Sequence, residues 1–313
     1  MSEGLDVRPF RFGVLAGGAQ NVADWESLSA RCEEAGYSSL LVPDHMNREW
    51  GPLVSLALAA RTTRTLALGP LMLGAGLRRP SVLYKELATL DLIAPGRLEI
   101  GVGAGWLASD FTRAGIEVES ASARIDRAVE AVTLLRRLWD EGGASFTGRF
   151  HQVIDAVGEP RPRPARWTMG GGGPRVLRAA ALHADIVSLS ARLVSGAKDS
   201  RFGPSARAVE FDQRVRWVRE AAADRAEQPE LQCLIFAASL TKSPERYADR
   251  VLSRMFGLPA AEALDSPLAL VGDVAEVCER LEERRERFGI SYWVLPAAQA
   301  EAFAPVVARL TGK

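Results

Sequence analysis

The sequence predicts an α/β fold of the (β/α)8 TIM-barrel class, spread over residues 1–313 as one domain. Three observations lead there. Eight short apolar runs alternate with segments of helical spacing along almost the whole chain. The runs are largely apolar rather than alternating, as strands of a parallel sheet covered on both faces should be. Most of them end in glycine or a turn-forming polar residue, where a barrel carries its βα loops. A doubly wound sheet more often brings a smaller second domain, and no break in composition marks one.

Residues 11–15 are the first expected strand. Asn21 offers an N-cap with Asp24 three residues on, and Val22, Trp25, Leu28, Cys32 and Ala35 mark one helical face before Gly36 ends it. Residues 38–42 form the second strand and run into Pro43-Asp44-His45; Pro52 then suits the first turn of a helix. Residues 65–73 are the third, ending in Gly74-Ala75-Gly76, and Pro80 opens a helix that Pro95-Gly96 stops. The fourth strand begins at Arg97 and runs straight into Gly101-Val102-Gly103-Ala104-Gly105-Trp106. Its spacing is G-x-G-x-G, not the G-x-G-x-x-G of a dinucleotide loop, and Ser109, Asp110 and Gly115 leave no clean helix behind it.

Ser122 is the expected cap of a long helix closed by Gly142-Gly143. Residues 145–153 read as a hairpin and 159–164 as proline-spaced loop, making an insertion near 143–165. Residues 166–169 are the fifth strand, followed by Gly170-Gly171-Gly172-Gly173-Pro174 and a helix. Residues 184–189 are the sixth; the polar stretch 190–205 is a second insertion and the expected mobile loop. Residues 231–238 and 290–295 are the seventh and eighth strands, with helices starting at Ser243-Pro244 and Asp273 between them. The charge run 279–287 reads as a solvated helix face.

Composition excludes several function classes. Thirty-nine basic residues balance 39 acidic ones, so nothing in the charge calls for nucleic acid or an anionic membrane. Apolar runs such as 66–73 are too short to span a bilayer, and MSEGLDVRPF lacks a signal peptide's apolar core; a cytoplasmic location is the expectation. Cys32, Cys233 and Cys278 are scattered, which disfavours a disulfide framework. His45, His151 and His183 lie far apart without H-E-x-x-H or C-x-x-C, so no metal centre is expected, and G-x-S-x-G is missing. His151 and His183 read as packing or surface residues.

In a barrel, chemistry sits at the strand C-termini. Asp44-His45 there is either a proton-transfer pair or a histidine beside a turn-capping aspartate. Trp106 is either a wall for a flat ligand or core. The four glycines before Pro174 are either a phosphate cradle or a tight strand–helix turn. With few side-chain catalysts left, a flavin-like cofactor that carries the hard chemistry fits the inventory.

Several stretches carry a resemblance: Glu34-Ala35-Gly36-Tyr37 leading to Val42-Pro43-Asp44-His45, then Arg79-Pro80-Ser81-Val82-Leu83-Tyr84-Lys85-Glu86, and Pro95 through Trp106. With Gly170 through Pro174 and Ala184-Asp185-Ile186-Val187, they resemble the bacterial luciferase-like monooxygenase superfamily, specifically its deazaflavin (coenzyme F420)-dependent oxidoreductases. The resemblance implies a luciferase-like barrel, a homodimer, and hydride transfer between the cofactor and a small organic substrate, for instance an activated C=C or C=N bond. It implies a ring held by Asp44, Gly74, Ala75, Gly103, Ala104, Gly105 and Trp106, with His45 at the transferred hydride. Phosphate contacts fall on Gly171, Gly172, Gly173 and Pro174, and a non-proline cis peptide near Gly74-Ala75. The sugar-phosphate dehydrogenases of this group carry a glutamate where this chain has Trp106. The alternatives are an FMN-dependent monooxygenase of the same superfamily and a barrel that binds cofactor without turnover.

Overall fold

A computed structural model describes residues 8–192 and 202–313. Its strands are β1 (Arg11–Leu15), β2 (Ser39–Val42), β3 (Ala67–Pro70), β4 (Leu73–Gly74), β5 (Glu99–Gly103), β6 (Gly143–Thr147) and β7 (Gln152–Val157). They continue as β8 (Arg166–Gly171), β9 (Ile186–Leu189), β10 (Glu230–Leu234), β11 (Ala237–Leu240), β12 (Ala269–Gly272) and β13 (Ile290–Pro296). Nine of them form one sheet in the order β3-β2-β1-β13-β10-β9-β8-β5-β4. Leu68 of β3 makes an isolated parallel bridge to Leu98, just ahead of β5, and the fold class is the expected (β/α)8 barrel. Gly69 permits this approach: a Cβ there would lie 1.7 Å from the Glu99 carbonyl oxygen.

The chain divides into two compact units, one taking Ala16–Ala30 and Ser39–Met169, the other the chain up to Leu15, Arg31–Ser38 and Gly170–Lys313. In the first, the expected third strand is two, β3 and β4, broken around the cis Leu71–Met72 peptide, which lies ahead of the expected Gly74-Ala75 position. Its core is aromatic: Tyr84 meets Trp139 edge to face at 5.9 Å, and Trp139 meets Trp167 at 5.7 Å. The glycine-rich turn after β5 does lead to a helix, Ala108–Arg113, short and offset by four residues. The turn at Gly115 ends it, as the residue pattern anticipates.

The hairpin is β6 and β7, antiparallel, longer by several residues than expected. Its loop hangs on one carboxylate: Glu130 accepts from the amides of Arg149, Phe150 and His151 at 2.8, 2.9 and 3.1 Å. His151 is buried there, only 4% exposed, and burial first, then the Arg127 charge, hold its imidazole below the ordinary 6.5. The unfolded chain therefore takes up that proton before the folded one does. Stability is whole above pH 6.5 and declines as pH falls below it, by at most about 1.4 kcal/mol per unit. His151→Phe is expected to flatten this part of the curve in urea melts run at about pH 5–7.5. An unchanged slope would sink the assignment.

In the second unit the expected seventh strand is again two. β10 joins the main sheet, while β11 leaves it to pair with β12 in a separate parallel ladder. The run 279–287 lies in the helix Val274–Phe288, opened by a full capping box between Asp273 and Glu276. It is not wholly a solvated face. Arg284 is 4% exposed and donates to the carbonyls of Ala269, Asp265 and Ser266, covering the end of the helix Ala260–Asp265. The central part of the expected mobile loop, 193–201, lies outside the described residues. No helix of the described residues is long and apolar enough to cross a membrane.

Candidate functional site

In the unit containing β2 to β7, the ends of β2, β4 and β5 bring one group of polar side chains together. Asp44 leaves the end of β2 with its carboxylate buried, and Arg78 grips it with both terminal nitrogens. The same carboxylate accepts the Gly74 amide at 2.9 Å. Asp44 thus ties the β2 and β4 ends together. That is a structural task, nearer to the capping reading than to proton transfer.

His45, the next residue, points elsewhere. Its Nδ1 lies 2.7 Å from Oδ2 of Asp110, and Asp110 Oδ1 accepts the Met46 amide at 3.0 Å. Asp110 is 5% exposed, seated in the helix Ala108–Arg113 behind the β5 glycines. A carboxylate only accepts, so Nδ1 carries a proton and Nε2 is left as the ring's reactive nitrogen. Trp106, half-buried, meets the imidazole edge to face at 5.9 Å and 88°. The indole therefore walls the histidine rather than filling the core.

The glycines beside this group, Gly74, Gly103 and Gly105, are accounted for by the protein's own packing. A Cβ at Gly105, where φ is +71°, would come within 2.7 Å of the Phe111 ring. A Cβ at Gly103 would press on Met72 at 3.3 Å and one at Gly74 on Leu77 at 3.0 Å. Arg124, 8% exposed, holds the Gly105 carbonyl through Nε at 3.0 Å, and Ala75 donates to the Gly103 carbonyl at 3.0 Å. The backbone of 103–105 is thus braced from behind, leaving Ala104 and Trp106 partly exposed.

The other unit holds the glycine run. β8 ends at Gly171, and the helix Pro174–His183 starts with Gly173 as N-cap and no capping side chain. A Cβ on Gly170 would strike the Ser188 carbonyl at 2.0 Å, and one on Gly172 the Ala191 carbonyl at 2.4 Å. Gly173 differs: a Cβ there meets nothing within 4 Å. Three of the four glycines serve the turn and the last borders open space, the arrangement an anion needs to reach free amides.

Asp44, His45, Gly74, Ala75, Gly103–Gly105 and Trp106 accordingly belong to one group, and Gly171–Pro174 form a second in the other unit. Sequence reasoning did not find Asp110, Arg78 or Arg124 as members of the first group. Asp110 lies 65 positions from His45 and Arg78 lies 34 from Asp44. The one signal available was a carboxylate on the helix directly following a glycine-rich strand end.

A family model described as luciferase-like monooxygenase matches residues 7–292. The F420-dependent glucose-6-phosphate dehydrogenase of Kribbella flavida is 32% identical over 178 residues, covering 54% of this chain and 53% of that one. The chain thus spans about half the length of the curated relatives it matches. Among solved structures, an F420-dependent secondary alcohol dehydrogenase in complex with an F420-acetone adduct superposes with TM-score 0.71 at 19% identity, covering 96% and 97% of the two chains. The long-chain alkane monooxygenase LadA superposes with TM-score 0.75 at 15% identity, covering 97% and 91%. At such identities these two structures speak for the fold.

Proposed function

Because the chain belongs to the luciferase-like monooxygenase family, we propose that it is an F420-dependent oxidoreductase moving a hydride between the cofactor and a small organic substrate. The observation that carries the reading is the Asp110–His45 pair at the strand ends, a carboxylate-oriented imidazole of the kind proton transfer requires. Bound, the deazaflavin would supply two-electron hydride chemistry. The protein's own part is then to move one proton. His45 Nε2 accepts it when the substrate is oxidised and gives it up when the substrate is reduced. Asp110 holds the ring in one tautomer and balances the positive charge of the protonated state. The braced 103–105 backbone and the Gly74–Ala75 turn provide a surface for a flat ring, and Trp106 excludes water beside His45. Relatives named as F420-dependent dehydrogenases support the choice of cofactor.

A second reading is an FMN-dependent monooxygenase, favoured by the match of residues 7–292 to a family model described as luciferase-like monooxygenase. The resemblance implies an acid in the sugar-phosphate dehydrogenases where this chain has Trp106, which argues against sugar-phosphate oxidation. Titrating the apo-protein with reduced deazaflavin and with reduced flavin, followed by fluorescence, decides between the two. Deazaflavin is expected to bind at least about tenfold more tightly, a difference of roughly 1.4 kcal/mol. Tighter binding of the flavin overturns the choice.

A further inference from the structure

Arg214 is a buried cation that makes no ion pair among the described residues. It lies in the helix Ala208–Ala221, is 2% exposed, and stacks over the Phe211 ring at 4.7 Å. Burial pushes its guanidinium down to about 10, which still leaves it charged at neutral pH. Its Nε donates to the Gly172 carbonyl at 3.1 Å, while its Nη1 is buried and has no hydrogen-bond partner among the described residues. Burying an unpaired charge is costly, and a nearby apolar side chain of similar size would serve packing alone.

The bond to Gly172 has a geometric consequence. In a trans peptide the carbonyl of one residue and the N–H of the next point in opposite directions. Drawing the Gly172 carbonyl toward Arg214 therefore points the Gly173 N–H away from Arg214, and a Cβ at Gly173 meets nothing within 4 Å. Gly173 is also the N-cap of the ten-residue helix Pro174–His183, whose first amides and dipole favour negative charge at that point. The turn, the buried cation behind it and the open space before it make one device.

We propose that Arg214 is a positioning residue: it fixes the Gly172–Gly173 peptide so that the Gly173 amide and the following helix N-terminus receive a phosphate ester. The proposal rests on the cofactor-binding reading above and adds the residue that sets the orientation of its phosphate contact. It concerns the phosphate-bearing tail alone, whichever chromophore carries it.

Two ligand pairs test it on the full chain: F420 against its chromophore lacking the phosphate-bearing tail, and FMN against riboflavin. In the wild-type protein the phosphate-bearing member of the pair that binds is expected to be at least about tenfold tighter. Arg214→Met, which removes the donor, is expected to reduce that ratio to under about threefold while leaving the phosphate-free ligand within about twofold. Arg214→Gln places an amide nitrogen where Nε stood and is expected to keep most of the ratio, which a purely structural role would not produce. Should Arg214→Met not fold, glycine-selective 15N labelling of the wild type gives the answer. The Gly173 amide is expected to shift with the phosphate-bearing ligand and not with its phosphate-free counterpart. An unchanged ratio in Arg214→Met, or an unmoved Gly173 amide, overturns the proposal. Binding by FMN but not by F420 overturns the cofactor reading instead, and the FMN pair then decides the role of Arg214.

Discussion

Removing the imidazole in His45→Ala is expected to lower kcat/KM by about 10²–10⁴, the contribution usual for a positioned acid or base. Reduced deazaflavin should bind with nearly unchanged affinity, because the ring contacts proposed here are largely backbone. The measurement follows deazaflavin absorbance against a panel of secondary alcohols, imines and enones, chosen by what the wild type turns over. Added imidazole should restore part of the rate, since the cavity left beside Trp106 and Asp110 retains the partners of the lost ring. Turnover that survives the substitution unchanged removes His45 from the chemistry. Wild-type protein that binds cofactor and turns over nothing on the panel supports a non-catalytic barrel.

Asp110→Asn is expected to lose roughly a hundredfold or more in kcat, although it removes a single charge and almost no volume. The Met46 amide, a fixed donor, faces one oxygen of Asp110, so the asparagine must set its carbonyl there. Its NH2 group then faces His45 Nδ1, which has to become an acceptor. The proton moves to Nε2, and the nitrogen that should exchange a proton with substrate is already occupied in the neutral ring. Oxidation of an alcohol, which needs a vacant Nε2, should suffer most. Cofactor affinity and thermal stability should change little. A variant with wild-type kcat would show that the Asp110 contact is structural only; a matching fall in cofactor affinity would place Asp110 in binding.

Separation along the chain divides the features that local sequence encodes from those it does not. Periodicity found the alternation of strands and helices, because a strand covered on both faces and an amphipathic helix each write their burial into consecutive residues. It could not find where a strand stops being part of the main sheet. Residues 231–240 are apolar almost throughout, yet β10 pairs with β9 and β13 while β11 pairs with β12. Side chains of the same character serve either ladder, and only the partner differs. The same limit applied to the charge run 279–287. Spacing reports which residues share a helix face, not that Arg284 on that helix meets the carbonyls of 265, 266 and 269.

The candidate site divides in the same way. His45, Trp106 and the glycine runs were legible because glycine and aromatic residues at strand ends are unusual enough to notice locally. Their meaning was not. The Asp44-His45 dipeptide invited the idea of an acid–base pair, yet adjacent side chains leaving a strand end diverge, and the two carry separate partners, Arg78 and Asp110. Likewise the four glycines before Pro174 look equivalent in sequence, and three are required by close backbone or side-chain neighbours while Gly173 alone borders open space. Consecutive residues were enough to give the fold class and to mark His45, Trp106 and the glycine runs as candidates at strand ends. Only the folded chain shows that Asp110 is the carboxylate bonded to that histidine and Arg214 the cation bonded to the glycine turn. Both are single hydrogen bonds between residues 65 and 42 positions apart, and no local pattern encodes a bond of that length.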